Sequence, residues 1–429
     1  MTQPDVRAIL VLTAFGVAFA FGSEGCNCDA EDDFGPINVD PVAPVLVERA
    51  AAIPASDVAA SAAAGNALAF DLLAQTAKGK NVLISPHSIR MALSMAAGGA
   101  RGQTLEVMRT ALRTSLKEPA RHAALFALDV RIRDAAARGE DPIELRVANS
   151  LWLENGFVVE ADYKQLMERW YAAPPVQISL VNELHRIDAW ASEKTKGLIP
   201  KVMPEAGLPE EVLLVLVNAV YFKARWMHEF DPSSTSPRLF HRVGAAPIDA
   251  QHMFLKSHLR YARHGGWAAV ELPYRGGAES MIVLVADGEP THELPDLATF
   301  DALVTGMKRA NVEVYLPRFR FKFSTSLAEP LKALGMEIAF SSGANFRGIS
   351  DKELKISDVL HSTFVDVSEQ GTEAAAVTAV SVSPSKSAAP EPPIQIVFDR
   401  PFVSAIRDNA SGALLFVGQV TDAALAQAD

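Results

Sequence analysis

The sequence predicts an α+β fold, on three observations. Helical periodicities with caps and stops dominate residues 56–200. Strand patterns, some alternating and some continuously apolar, crowd into the rest of the chain. The two kinds do not alternate, as strands and crossover helices must in a doubly wound sheet. At 429 residues the chain has room for one large domain or two average ones. With no internal repeat and no second linker, residues 56–425 read as one cooperative domain and 426–429 as a tail.

Residues 1–25 read as a signal peptide. Arg7 is followed by the apolar run Ala8 to Gly22, too short for a bilayer span of about 20 residues but suited to a signal core. Cys26 then follows a Gly, as in a bacterial lipoprotein processing site, although Glu24 stands where a small residue is expected. Export is the common expectation; Cys26 would carry the lipid if the chain is anchored, and plain secretion is the alternative. Cys26 and Cys28 are the sole cysteines, so the domain needs no disulfide outside the cell. Residues 26–55 are rich in Asp, Glu, Pro and Val and read as an acidic linker without a core-forming period.

Within the domain, Ser56 to Ala77 reads as an Ala-rich helix. Ser88 to Ala100 is a second, with Ser85 or His87 as cap, Pro86 in the first turn and Gly98-Gly99 at the end. Ile187 to Lys196 is a third, stopped by Gly197. Val212 to Phe222, VLLVLVNAVYF, reads as a strand covered on both faces. Ala268 to Pro273 and Ser280 to Val285 form a hairpin around Arg275-Gly276-Gly277. Val312 to Phe323 reads as one strand punctuated by a proline, and Ser326 to Leu334 as a helix ending at Gly335. Ile394 to Val397, Phe402 to Ile406 and Ala413 to Val417 are the last strands.

The net charge of −11 argues against general nucleic-acid or membrane-surface binding. The basic residues Arg109, Arg113, Lys117, Arg121, Arg131, Arg133 and Arg138 read as a solvated helical face rather than a polyanion site. No catalytic set is complete. Ser85-Pro86-His87-Ser88 fits capping and buried hydrogen bonding better than a nucleophile and base. There is no G-x-S-x-G elbow, His228 lacks a second ligand at metal spacing, and Gly98 to Gly102 lacks the Lys-Ser/Thr of a phosphate loop. No cofactor is expected, and the chain is not read as an enzyme.

The most informative stretch is Glu369 to Val382, EQGTEAAAVTAVSV. At period two, Thr372, Ala374, Ala376, Thr378, Val380 and Val382 share a small or β-branched face that can be buried. Glu373, Ala375, Val377, Ala379, Ser381 and Ser383 share the other. Strand pairing should stop near Pro384. The lead-in E-x-G-T-E-A-A-A-x-T resembles the proximal hinge of the inhibitory serpins, with Glu369, Gly371, Thr372, Glu373, Ala374, Ala375, Ala376 and Thr378 as hinge residues.

The resemblance to serpins is collinear over nearly the whole domain. It takes in NVLISPHSIRMALSMAAGGARGQTLEVM (Asn81 to Met108), Ala148-Asn149-Ser150-Leu151-Trp152 and IDAWASEKTKGLI (Ile187 to Ile199). It continues through Leu216 to Phe230 with Phe240-His241, then Glu271 to Tyr274 with Ser280-Met281. Leu316 to Phe319, Leu334 to Met336, Ile356 to His361, Arg400 to Phe402 and Leu415 to Val420 complete it. It departs at Asn345 and Arg347, at Asp188, and in a loop before Phe398 that is a few residues long.

The resemblance implies a serpin fold: a helical N-terminal part, a large mixed sheet, further sheets and an exposed reactive loop at about 369–393. It assigns Ser85, Ser88, Asn218 and His361 to the polar "shutter" beneath the main sheet and Trp226 to the "breach" above it. It implies an inhibitor consumed as a suicide substrate, a monomer whose partner is a serine protease. The family's usual spacing from Gly371 puts the reactive bond at Ser385–Lys386, facing an elastase-like or subtilisin-like enzyme. The longer loop admits Lys386–Ser387 and a trypsin-like enzyme. A non-inhibitory serpin, acting as chaperone, carrier or structural protein, is the alternative, usually marked by a hinge spoiled with bulky residues or proline.

Overall fold

The computed structural model describes residues 41–138, 141–204, 208, 212–372 and 392–423. The called hinge positions from Glu373 onward, the reactive bond at Ser385, Lys386 and Ser387, and Cys26 lie outside them.

The chain begins with helices α1 (Pro44–Ala51) and α2 (Ala55–Thr76), strand β1 (Val82–Ile84), then α3 (Pro86–Gly99), α4 (Gly102–Ala111) and α5 (Ala120–Ala136). Strand β2 (Glu144–Glu154), α6 (Ala161–Tyr171), β3 (Val176–Ile178), α7 (His185–Lys194) and β4 (Leu214–Arg225) follow. Next come β5 (Ser236–Phe240), β6 (Ile248–His264), β7 (Trp267–Pro273), β8 (Glu279–Ala286), α8 (Leu297–Gly306), β9 (Lys308–Pro317) and β10 (Phe319–Ser326). The last are α9 (Ala328–Leu331), β11 (Asp358–Val367), β12 (Gly371–Thr372), β13 (Ile394–Val397), β14 (Phe402–Asp408) and β15 (Leu414–Val420).

Two sheets organise these elements. Nine strands run in the order β1-β15-β14-β8-β7-β6-β9-β13, with β5 beside β6. Six run β10-β11-β12-β4-β2-β3, and β11 also pairs directly with β4. β8 is buried at every position and β4 at nearly every one, as their unbroken apolar runs require. Helix α3 is buried along almost its whole length, and Gly99 admits no Cβ because Ile349 occupies that space.

Four expectations are corrected. The acidic linker does not run to residue 55, because Pro44–Ala51 is helical. Pro44 starts that helix, Ala50 is buried, and the Arg49 guanidinium lies 4.1 Å from the Phe126 ring centroid. The single strand expected over Val312 to Phe323 is two strands in two sheets. Pro317 has no N–H to continue a ladder, the chain swings at Arg318, and β9 pairs with β6 while β10 pairs with β11. Arg121 is not on a solvated face: it is 2% exposed and bound to Glu118. Neither expected cap of α3 makes a cap hydrogen bond; His87 instead meets Asp129, which Arg133 also binds.

Candidate functional site

The unusual feature of the six-stranded sheet is its centre. β11 and β4 run parallel and pair from Asp358↔Val215 to Thr363↔Val220. Above that level they part, and β12 lies between them, antiparallel to both. The chain leaves β11 at Val367, turns through Glu369 and Gln370, and re-enters its own sheet. The turn is closed by Ser368 and Gly371, with the Ser368 N–H donating to the Gly371 carbonyl at 2.9 Å. Gly371 is required, because a Cβ there would collide with the Ala224 carbonyl.

Aromatic rings and one ion pair hold this entry point. Trp226 stacks on Tyr274 with centroids 4.6 Å apart and planes 8° from parallel. The Trp226 indole N–H donates to the Ser368 carbonyl at 2.9 Å, and its backbone N–H to Gln370 at 2.8 Å. Thr372 is fully buried, its hydroxyl 2.7 Å from that of Tyr274. Burial holds the Tyr274 phenol protonated, so it can serve the threonine as donor or acceptor. The Glu369 carboxylate, itself buried, accepts from Arg318 Nε at 2.7 and 2.9 Å and from the Thr235 hydroxyl.

The middle of the sheet carries a polar seam. His361 and Asn218 are register partners on the two parallel strands, and His361 Nδ1–H donates to Asn218 Oδ1 at 2.5 Å. His361 Nε2 accepts from the Ser85 backbone N–H at 3.1 Å. Burial lowers the imidazole pKa to about 3, so the ring is neutral and this donor–acceptor arrangement is its stable tautomer. Asn218 Nδ2 donates to the Ser88 hydroxyl and, at 2.5 Å, to Asn149 Oδ1; Ser88 donates to Asn149 at 3.2 Å. The Thr363 hydroxyl reaches the Leu83 carbonyl at 2.8 Å. Ser85, Ser88, Asn218 and His361 are thus brought together, with Ser85 contributing its backbone rather than its hydroxyl. Trp226 lies at the upper end beside Glu369, Gly371 and Thr372. Sequence reasoning missed Asn149, Thr363, Tyr274, Arg318 and Thr235 as members. Asn149, Tyr274 and Arg318 stood inside motifs already picked out, which is the signal that could have found them.

Tyr274 also feels a buried acid. Glu279 is 0% exposed, and neither carboxyl oxygen has a hydrogen-bond partner. Burial, reinforced by the charge of its cross-strand neighbour Asp408, raises its pKa to about 8. Below its ordinary value of 4.5 the group is protonated in folded and unfolded chains alike. Between 4.5 and about 8 unfolding releases its proton, so the native state loses stability as pH rises through that window and loses no more above it. Glu279→Gln should therefore raise the melting temperature near pH 8, by about 5 °C, with the gain shrinking to nothing as pH falls toward 4.5. Calorimetry across that range checks it.

The sequence model of the family described as Serpin (serine protease inhibitor) matches residues 63–423. An uncharacterized serpin-like protein of Thermococcus kodakarensis is 33% identical over 364 residues, covering 83% of this chain and 84% of that protein. A protein of Cyanea capillata named serine protease inhibitor is 30% identical over 358 residues, covering 80% of this chain and 93% of that protein. Among solved structures, the thermophilic serpin Tengpin in its native state superposes with a TM-score of 0.76 at 26% identity, covering 90% of this chain and 97% of that one. The family model covers residues 63–423, well over half of the chain, and the chain belongs to the serpin family.

Proposed function

We propose that this protein inhibits a serine protease as a suicide substrate, with residues 369–393 as the reactive loop. Serpins generally act as protease inhibitors, and the relative from Cyanea capillata carries that name. The observation that carries the reading here is β12, a strand of two residues already seated between parallel neighbours that part to admit it.

The pairing of β12 sets where further residues would go. Thr372 stands opposite Val367 on one side and Ala224 on the other. Six antiparallel steps along both strands would bring Thr378 level with His361 and Asn218, on the face that already takes Thr372. A threonine hydroxyl at that level can remake the hydrogen bonds that parting of the strands removes. Ten steps would bring Val382 to Leu214, the lower end of β4. Insertion trades one short parallel pairing for two antiparallel ladders, a gain of roughly ten hydrogen bonds at about 1 kcal/mol each, plus burial of Ala, Thr and Val surface.

In the reaction this implies, the protease serine attacks the carbonyl of the reactive bond and the amine leaves with a proton from the protease histidine. The freed loop then enters the sheet before water reaches the ester. The protease is dragged along and distorted, so its oxyanion hole no longer supports deacylation. The protein acts as a monomer, needs no cofactor and takes no nucleic acid. Export, with or without lipid on Cys26, is carried by the N-terminal sequence, and a lipid there would tether the inhibitor to a membrane.

Incubation with a panel of serine proteases should give a complex that survives SDS, and its absence throughout would favour a non-inhibitory serpin. Thr372→Arg should abolish the complex while leaving the loop cleavable. The long cation would replace a fully buried hydroxyl against Tyr274, at a cost of several kcal/mol. Undiminished complex formation by this variant would contradict insertion. The reactive bond is placed at Ser385–Lys386, so Ser385→Arg should create trypsin inhibition and Lys386→Ala should leave an elastase-like or subtilisin-like target trapped. If Lys386–Ser387 is cut instead, the wild type already traps trypsin and Lys386→Ala abolishes it.

A further inference from the structure

Tyr274 and Glu279 form the last pair of the β7–β8 hairpin, with the Tyr274 N–H donating to the Glu279 carbonyl at 3.1 Å. The turn between them carries Gly276 and Gly277, both at positive φ. Glu279 shares a face of β8 with Met281, whose cross-strand neighbours Ile406 and Phe416 look toward the six-stranded sheet, where Phe416 meets Phe222. Asp408, directly opposite Glu279, is buried on the same face and accepts from the Ser411 N–H at 2.6 Å. On β4, Phe222 meets the Tyr274 ring and Ala224 takes the same side, while Lys223 and Arg225 alternate to the other. On the reverse face of the hairpin, Glu271 is held by Arg260 and the Ser280 hydroxyl, and Arg407 stands opposite Ser280. Asp408 and Tyr274 are thus the titratable neighbours on the Glu279 side. No hydrogen bond or ion pair among the described residues reaches its carboxyl oxygens.

This setting suits the neutral acid. Ionisation sends a proton to water and leaves an unpaired charge in an apolar slot beside a second carboxylate. Hydration relieves that charge, and movement of the hairpin end is the easiest route to it. The two glycines let the turn reshape, and the end of a hairpin opens before its middle. Tyr274 is half of that end pair. Its hydroxyl is 2.7 Å from that of Thr372, and its ring stacks on Trp226. The phenol itself stays protonated, because burial raises its pKa.

We propose that Glu279 is an alkaline release for the strand at which the loop enters the sheet: the protonated acid lets Tyr274 hold Thr372, and the ionised acid frees it. Glu279 is then a positioning residue that acts through Tyr274. Burial and the Asp408 charge, which raise its pKa to about 8, centre the change there, with the anchor in place below and lost above. The consequence for inhibition rests on the insertion reading. With Thr372 unanchored, insertion lacks its defined start, more acyl-enzyme is hydrolysed, and more inhibitor is consumed per protease trapped.

The test uses the full chain and needs no protease in its first arm. Amide hydrogen exchange of residues 368–372 is compared between wild type and Glu279→Gln at the same pH, which cancels the intrinsic effect of pH. The two should match near pH 7, and wild type should exchange several-fold faster near pH 9. Glu279→Leu, which also cannot ionise, should match Glu279→Gln. Asp408→Asn keeps an acceptor for Ser411 but removes the neighbouring charge, so its release should begin at lower pH than in wild type. Equal exchange in wild type and Glu279→Gln near pH 9 would overturn the proposal. An equal rise in residues 358–363 of β11 would mean general unfolding and overturn it too. The second arm measures inhibitor consumed per protease trapped. It should rise several-fold from pH 7 to 9 in wild type and stay level in Glu279→Gln; an equal rise in both would overturn the link to inhibition. Absence of a complex in every form at every pH would count against the inhibitory reading, while the exchange comparison still decides the release.

Discussion

The direct pairing of β4 with β11 is the contact on which the rest of the structure depends. It is parallel, and so weaker per residue than the antiparallel pairings around it. It covers six register pairs at the lower part of the sheet and is replaced above by β12. A sheet built this way is closed at its centre by a pairing weaker per residue than the antiparallel ones on either side of it. On the insertion reading proposed above, the energy released would be the difference between that pairing and the two ladders a full strand would make.

The side chains along this seam fit a joint that opens. A core of large apolar residues would resist parting through lost packing at every step. Here the centre is His361, Asn218, Ser88 and Asn149, all small or planar polar groups whose bonds can be handed to a new partner. The neutral His361 matters, since a charged imidazole with the same burial would need a counter-ion that opening would strand. At the upper end the opposite holds. Trp226, Tyr274 and the Glu369–Arg318 pair hold the turn and Thr372, so that on the insertion reading opening would begin from one defined point.

Much of this was legible in the sequence. Continuous apolar patterning identifies β4, the turn residues identify the β7–β8 hairpin, and the Glu-Gln-Gly-Thr lead-in marks the strand entry through its resemblance to the serpin hinge; the structure adds the reason for Gly371, which passes under the Ala224 carbonyl. What was not legible depends on pairings between distant residues. Tyr274 meets Thr372 across 98 positions and Arg275 meets Asp141 across 134, and no local pattern announces either. The β9–β10 split was hidden because Pro317 is equally compatible with a punctuated strand and with a change of sheet. Arg121 was misplaced because charge reads as exposure until a partner such as Glu118 is seen. α1 escaped notice because its turns sit in a Pro- and Asp-rich stretch that lacks a sustained apolar stripe.

The central claim is that the native sheet lacks a strand that its own loop supplies. The melting temperature before and after a single cut in the loop tests it most directly. The account predicts that the cleaved protein melts far above the intact one, because the loop has entered between β4 and β11. Equal melting temperatures, with the cut confirmed by mass spectrometry, would contradict it.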